Sequence, residues 1–245
     1  MTTLKNLFAR VWALWGLLSF IITFLLIFIP SMISYLIPGV KGQEYFLSVA
    51  RFWMNIWLPL IGCPLKIKGK ENFLKGKSYV VVFNHNTLLD VPLSAPYVPG
   101  ANKTIAKASF AKAPLFGWFY MKGSVLVNRK SEQSRIKSYE EMKAVLAAGM
   151  HMSIYPEGTR NRTNEPLKNF YDGAFKLAAE TQKDIIPCLI FGTKKAMPVN
   201  KVFYLLPTKL QMHFLPPVSS TDITPKELKE KVFTIMKDYY TASNN

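Results

Sequence analysis

Two short stretches combine residue types that could move a proton and hold an anion. The first is Phe83-Asn84-His85-Asn86-Thr87-Leu88-Leu89-Asp90. A His at the carboxyl end of an apolar run, with an Asp five positions later, reads as a base and the group that orients it. If the chain turns helical near Asn86, Asp90 lies about one turn beyond the strand end. Its carboxylate can then accept from one imidazole nitrogen and leave the other free to take a proton. The same spacing also suits a His that merely caps a strand end. The second stretch is Tyr155-Pro156-Glu157-Gly158-Thr159-Arg160. Gly158 lets the backbone approach a ligand closely, the N–H groups of the Pro156–Thr159 turn can bind an anion, and Arg160 offers a planar fork that matches two phosphate oxygens. Glu157 is expected to accept from a substrate hydroxyl or to hold Arg160. Lys107 and Arg129, each at the end of a short predicted strand, could line the same cationic pocket, although singly each is also an ordinary solvated charge.

The elements that position these residues follow from hydropathy. Ser78–Phe83 is aromatic and β-branched with no polar face, the mark of a strand buried on both sides. Pro64–Lys70 alternates apolar and basic residues, and Thr104–Lys107, Gly123–Arg129, Met152–Tyr155, Ile185–Phe191 and Leu210–Leu215 are further short strands, the last with His213 on its outer face. Helices are expected over Pro92–Tyr97, over Ser131–Ala148 with Ser131 as cap and Gly149 beyond its end, over Gly173–Thr181, and over Pro225–Tyr240 capped by Thr224. Strands alternating with helices predict an α/β fold with a largely parallel sheet flanked by helices, with ligands at the carboxyl ends of its strands.

The N-terminus has a different character. No charged residue occurs between Val11 and Val40. Val11–Ile29 reaches roughly the ~30 Å of a bilayer core, too long for a signal peptide, and Pro30 is expected to end or kink it. Gln43–Ile61 is a second largely apolar stretch, with Arg51, Trp53 and Trp57 as interfacial residues. Residues 1–62 therefore read as a two-helix membrane anchor, either a hairpin lying in one leaflet or a pair of which one helix spans, and 63–245 as the catalytic domain. The chain carries 31 Lys and Arg against 15 Asp and Glu, a net charge of +16, which calls for anionic partners. The basic residues are dispersed and form no nucleic-acid-binding motif. Cys63 and Cys188 make neither a disulfide framework nor a metal pattern, and His85, His151 and His213 lack ligand spacing, so no metal is expected. A hydrolase would need a nucleophile elbow of the Gly-x-Ser-x-Gly type, which is absent.

Taken together, these blocks resemble the glycerolipid acyltransferase family, the PlsC-like 1-acylglycerol-3-phosphate acyltransferases. Asn84-His85-x4-Asp90 matches its first block, Gly123–Arg129 its second, with Leu126 and Asn128 in place of the usual aromatic and Asp. Tyr155-Pro-Glu-Gly-Thr-Arg160 matches the third, with Tyr for the more usual Phe, and Ile185-Ile-Pro-Cys188 resembles the fourth. The resemblance implies transfer of a fatty acyl group from acyl-CoA or acyl carrier protein to the sn-2 hydroxyl of lysophosphatidate, giving phosphatidate, without metal or bound cofactor. It makes His85 and Asp90 the catalytic pair and gives Glu157, Gly158, Thr159 and Arg160, with Arg129 and Lys107, to the acceptor. It also implies a membrane-associated protein whose catalytic domain faces the cytoplasm. The same chemistry on another lysolipid, and a non-catalytic basic membrane-binding protein, are the competing readings.

Overall fold

The computed structural model describes residues 2–243. Two long helices, α1 (Thr2–Met32) and α2 (Gly39–Leu60), precede an alternation of strands and helices. The strands are β1 (Leu65–Lys68), β2 (Val80–Phe83), β3 (Asn102–Lys107), β4 (Ser124–Val127), β5 (His151–Ile154), β6 (Ile185–Phe191) and β7 (Leu210–Phe214). Between and after them lie α3 (Asp90–Ser94), α4 (Phe116–Lys122), α5 (Glu132–Ala147), α6 (Gly173–Thr181), α7 (Thr193–Ala196) and α8 (Pro225–Ser243).

The seven strands form one sheet in the order β1-β7-β6-β2-β5-β3-β4. Every neighbouring pair is parallel except β6–β7. β2 lies in the middle and all four of its residues are buried. Its side chains alternate between two cores, as the pleat requires. Val80 and Val82 join the layer of α5, α6 and α8, whereas Tyr79, Val81 and Phe83 join that of α1–α3. The predicted caps are in place: Ser131 Oγ accepts from Ser134 N–H (3.2 Å), and Thr224 and Glu227 form a reciprocal capping box ahead of α8.

Two local expectations are corrected. Pro30 does not end α1, which runs to Met32 and then into a short 3-10 turn at Ile33–Tyr35. Its ring lies on the exposed side of the helix, while the buried side, with Phe24, Ile27 and Phe28, stays packed in the core of the α1–α3 layer. His213 is not on an outer face. It is buried, with Nδ1 at 3.1 Å from the Tyr239 hydroxyl and Nε2 at 3.1 Å from Gln211 Oε1. The amphipathic α8 covers that side of β7.

α1 and α2 are joined to the sheet rather than suspended from it. Trp53, Met54, Trp57 and Ile61 share a core with Phe83, Ile186 and Met212. Indole N–H groups lock the helices together: Trp12 donates to Ile61 C=O (2.9 Å) and Trp53 to Thr23 Oγ1 (2.8 Å). α2 is tied onward by Gln43 to Asn102 C=O (2.8 Å) and Arg51 to Pro96 C=O (2.6 Å). Among the described residues, Thr3–Tyr35 is the one helical stretch long and apolar enough to cross a membrane.

Candidate active site

β2, β5 and β6 end side by side, and the segments leaving β2 and β5 build the site. Asn84 continues β2 with its side chain, donating to Ile190 C=O (3.0 Å) and accepting from Ile190 N–H (2.7 Å). His85 is thereby delivered at the carboxyl edge of the sheet. Its Nδ1 lies 2.9 Å from Asp90 Oδ2. The same oxygen accepts from the N–H groups of Asn86 (2.6 Å) and Thr87 (2.7 Å). Those amides are spent on the carboxylate, so the chain turns at residues 86–89 and helix α3 starts at Asp90, two residues before the expected Pro92. Asp90 is fully buried, whereas the His85 side chain is 16% exposed. With Nδ1 donating to the carboxylate, Nε2 is the acceptor nitrogen, and it has no partner among the described residues.

The second motif clamps the first. Glu157 is fully buried. Its Oε1 accepts from His85 N–H (2.9 Å) and its Oε2 from Lys168 N–H (3.3 Å). Asn161 N–H donates to His85 C=O (2.7 Å), so both backbone groups of His85 are held by one neighbouring loop. Burial pushes the Glu157 carboxyl up to about 7, against the pull of those two N–H donors. Glu157 thus points inward and bonds neither Arg160 nor solvent. Tyr155 closes the floor: its ring centroid is 4.5 Å from that of His85, and its hydroxyl donates to Asp90 C=O (3.0 Å) while sharing a 2.7 Å bond with Ser94 Oγ.

Around this dyad stands a cationic rim. Gly158 sits at φ +69 beneath the exposed Tyr171 ring, a backbone state that disfavours any side chain and a space that an added Cβ would share only if the ring shifted. Arg129 donates through Nη1 to Gly158 C=O, joining the end of β4 to the turn. Lys168 Nζ reaches Thr159 Oγ1 (2.8 Å). Arg160 is half-buried, and its guanidinium has no hydrogen bond or ion pair among the described residues. Lys107 lies exposed at the end of β3, and its side chain makes no hydrogen bond or ion pair among the described residues. Of the turn's amides, Gly158 N–H is spent on Tyr155 C=O (3.0 Å), whereas those of Glu157 and Thr159 have no acceptor among the described residues. Sequence reasoning missed Asn161 and Lys168. No motif flags them, although a lysine and an asparagine within ten residues of an anion-binding turn are a detectable signal. Among the described residues no group of three or more His, Cys, Asp and Glu is placed to hold a metal ion.

The arrangement is an Asp-held histidine beside a glycine turn flanked by Arg129, Arg160 and Lys168, on the carboxyl edge of an α/β sheet. It defines a class of site that can take a proton from a hydroxyl on a negatively charged molecule. A family model described as acyltransferase matches residues 64–191, more than half of the chain, and the chain belongs to that family. It is 28% identical over 208 residues to a 1-acyl-sn-glycerol-3-phosphate acyltransferase of Chlamydomonas reinhardtii, covering 80% of this chain and 62% of that one. It is 29% identical over 188 residues to the Saccharomyces cerevisiae 1-acyl-sn-glycerol-3-phosphate acyltransferase, covering 74% and 60%. The chain thus spans about three fifths of the length of these curated relatives. The crystal structure of PlsC from Thermotoga maritima, a 1-acyl-sn-glycerophosphate acyltransferase, has the same fold: TM-score 0.80 at 21% identity, covering 100% of this chain and 98% of that one.

Proposed function

We propose that this protein moves a fatty acyl group from an acyl thioester to the sn-2 hydroxyl of 1-acylglycerol-3-phosphate, making phosphatidate. The observation that carries the reading is the free Nε2 of an Asp-oriented histidine next to an unpaired Arg160 on a glycine turn. The names of the relatives supply the acceptor. His85 Nε2 takes the hydroxyl proton as the acceptor oxygen attacks the thioester carbonyl carbon. Asp90 stabilises the imidazolium. The oxyanion is met by the free and exposed Thr159 N–H of the turn. The C–S bond then breaks, and His85 returns its proton to the departing thiolate. Ester and free thiol are the products, no acyl-enzyme forms, and the sequence of steps calls on no metal or organic cofactor. Arg160, Lys168 and the Gly158 turn hold the acceptor phosphate, braced by Arg129, with Lys107 on the approach. Glu157 positions His85 from below rather than touching glycerol. Acyl-CoA and acyl carrier protein are both anionic thioesters, so the positive charge attracts either donor.

The acceptor lives in a bilayer, and α1 gives the site a place there. Leu205 N–H donates to Ala9 C=O (3.1 Å) near one end of the helical stretch, and the Tyr35 hydroxyl donates to Trp118 C=O (2.7 Å) at the other. Those points are about 39 Å apart at about 1.5 Å per residue, more than the ~30 Å bilayer core. A spanning helix could not touch one catalytic domain at both ends. α1, backed by α2, therefore lies in one leaflet with Leu18, Ile22, Leu25 and Ile29 outward, all exposed in the protein. Because thioester donors are cytosolic, that leaflet is the cytoplasmic one.

The test is conversion of radiolabelled lysophosphatidate in vesicles with acyl-CoA or acyl carrier protein thioester. Phosphatidate from wild type, reduced at least ~100-fold in His85→Ala, is the expected result. Equal turnover by both proteins would remove His85 from the mechanism. No product with either donor, alongside acylation of a different lysolipid, would move the acceptor assignment.

A further inference from the structure

The apolar outer surface of α1 does not stop at the helix. Near its start, the segment 197–206 is fastened to it by the Leu205–Ala9 hydrogen bond and by Lys201 Nζ on Asn6 Oδ1 (3.2 Å). Between those two ties the tip Val202-Phe203 turns outward, 84% and 45% exposed. Near the other end, Trp118 stacks on Phe28 with ring centroids 6.2 Å apart, yet remains 56% exposed. Leu115 and Phe110, a few residues earlier, are exposed as well.

Both tips hold backbone conformations that their residues avoid. Leu115 has φ 58 and ψ −55, at the centre of a three-residue turn closed by Phe116 N–H on Pro114 C=O (2.5 Å). Phe203 has φ 51. A bulky side chain at positive φ persists only where its surroundings impose it, and such residues concentrate at functional surfaces. Here the result is an apolar side chain displayed to solvent, which a soluble protein has no use for. The charge around the tips has one sign: Lys112 and Lys201 accompany them, and no Asp or Glu occurs in residues 91–131 or 192–221. Apolar tips flanked by lysines, continuous with an apolar helix face, match an anionic lipid surface.

We propose that the catalytic domain contributes two membrane-dipping tips of its own, Val202–Phe203 beside the start of α1 and Phe110–Trp118 beside its end. Bilayer contact then extends past the helices at both ends of α1 and fixes the roll of the domain, and with it the height of the active-site mouth. The inference rests on the in-plane reading of α1 and goes beyond it.

Site-directed labelling separates the two. Cys63 and Cys188 are buried, so one introduced cysteine on the full-length protein is the accessible thiol. An environment-sensitive fluorophore is placed at Leu25→Cys, Val202→Cys, Trp118→Cys and Thr221→Cys, the last on the α8 side, and the protein is bound to phosphatidylcholine–phosphatidylglycerol vesicles with or without brominated acyl chains. Phe110→Cys replaces Trp118→Cys if the latter melts early. Blue shift and bromine quenching at 25, 202 and 118, with none at 221, is the expected result. Quenching at 25 with either tip left in water overturns the two-tip footprint and leaves the helix reading standing. A label at 25 that stays in water overturns both.

Discussion

Asp90→Asn separates the charge of the dyad from its geometry. Oδ2 accepts from three donors, His85 Nδ1, Asn86 N–H and Thr87 N–H, whereas Oδ1 is buried without a partner among the described residues. Asparagine can place its carbonyl oxygen where Oδ2 lies, satisfy all three donors, and turn its amide into the unpartnered position. The imidazole keeps its proton on Nδ1, so the tautomer required for base catalysis survives. What disappears is the negative charge opposite the imidazolium that forms during attack. The bonds to Asn86 and Thr87 are the same before and during reaction and do not enter kcat. Hydrogen bonds to a charged partner contribute about 1.5–3 kcal/mol against about 0.5–1.5 for neutral pairs, so the transition state loses about 1–2 kcal/mol. At about 1.4 kcal/mol per decade, kcat falls about 5- to 30-fold.

Asp90→Ala behaves differently, because it leaves two buried backbone donors unpaired and the ring unheld. Its loss should approach the ~10³-fold or more seen when a base loses its orienter altogether. The assay is thiol release from an acyl thioester at saturating lysophosphatidate, with melting curves for each variant. In Asn the buried amide lacks an acceptor, so stability drops by about 1–3 kcal/mol while folding is retained. An Asn variant as slow as Ala, with an intact melting transition, would refute the separation of charge from geometry.

Burial holds the His151 imidazole down to about 4 and pushes the Glu157 carboxyl up to about 7. His151 gains its proton on unfolding, so its share of stability is lost as pH falls from 6.5 to about 4; Glu157 keeps a proton that the unfolded chain releases, so its share is lost as pH rises from 4.5 to about 7. The slopes oppose, and Glu157→Gln should unmask the His151 branch as a steeper rise in urea midpoint over that lower window, by up to about 1.4 kcal/mol per pH unit; an unchanged pH profile would count against it. Gly158→Ala should cost about 1–2 kcal/mol for its left-handed backbone and raise the acceptor KM more than it lowers kcat. Lys168→Met should raise that KM about tenfold, an effect fading with added salt, and no change in KM would remove Lys168 from the anion site.

Much of this architecture is legible before any coordinates. β2 is readable because a strand buried on both faces needs an unbroken apolar run, and Tyr79–Phe83 is one. His85 and Asp90 are readable because their partnership is local, closed within one turn. α5 and α8 announce themselves by caps, whose hydrogen bonds also span only three residues. What escapes is whatever depends on distant chain. Glu157 looks like a surface acid in a polar turn, and only the fold shows that the N–H groups of residues 85 and 168 surround it. His213 looks outward because its strand alternates; the covering helix comes later in the sequence. Pro30 fails as a stop signal because packing against α2 and α4 outweighs one missing backbone donor.

The two motifs are one device. Glu157 and Asn161 hold the N–H and C=O of His85, and the three residues between them belong to the turn proposed to hold the acceptor phosphate. The turn and the base therefore move together, so on the proposed function the reach from phosphate to imidazole is bounded by a short, doubly fastened stretch of backbone from which Arg160 extends. A glycerol phosphate places its free sn-2 hydroxyl one carbon away from the phosphoester carbon, a fixed and short reach. On the proposed function, a rigid spacing should select that acceptor over one whose hydroxyl lies farther from its anion, because proton transfer from a hydroxyl needs contact with Nε2 while the phosphate stays on Arg160. The membrane footprint completes the alignment in the remaining dimension. On the proposed placement of α1 in the leaflet, with the site at the sheet edge beside it, a lysolipid would keep its acyl chain in the bilayer while its headgroup meets the base.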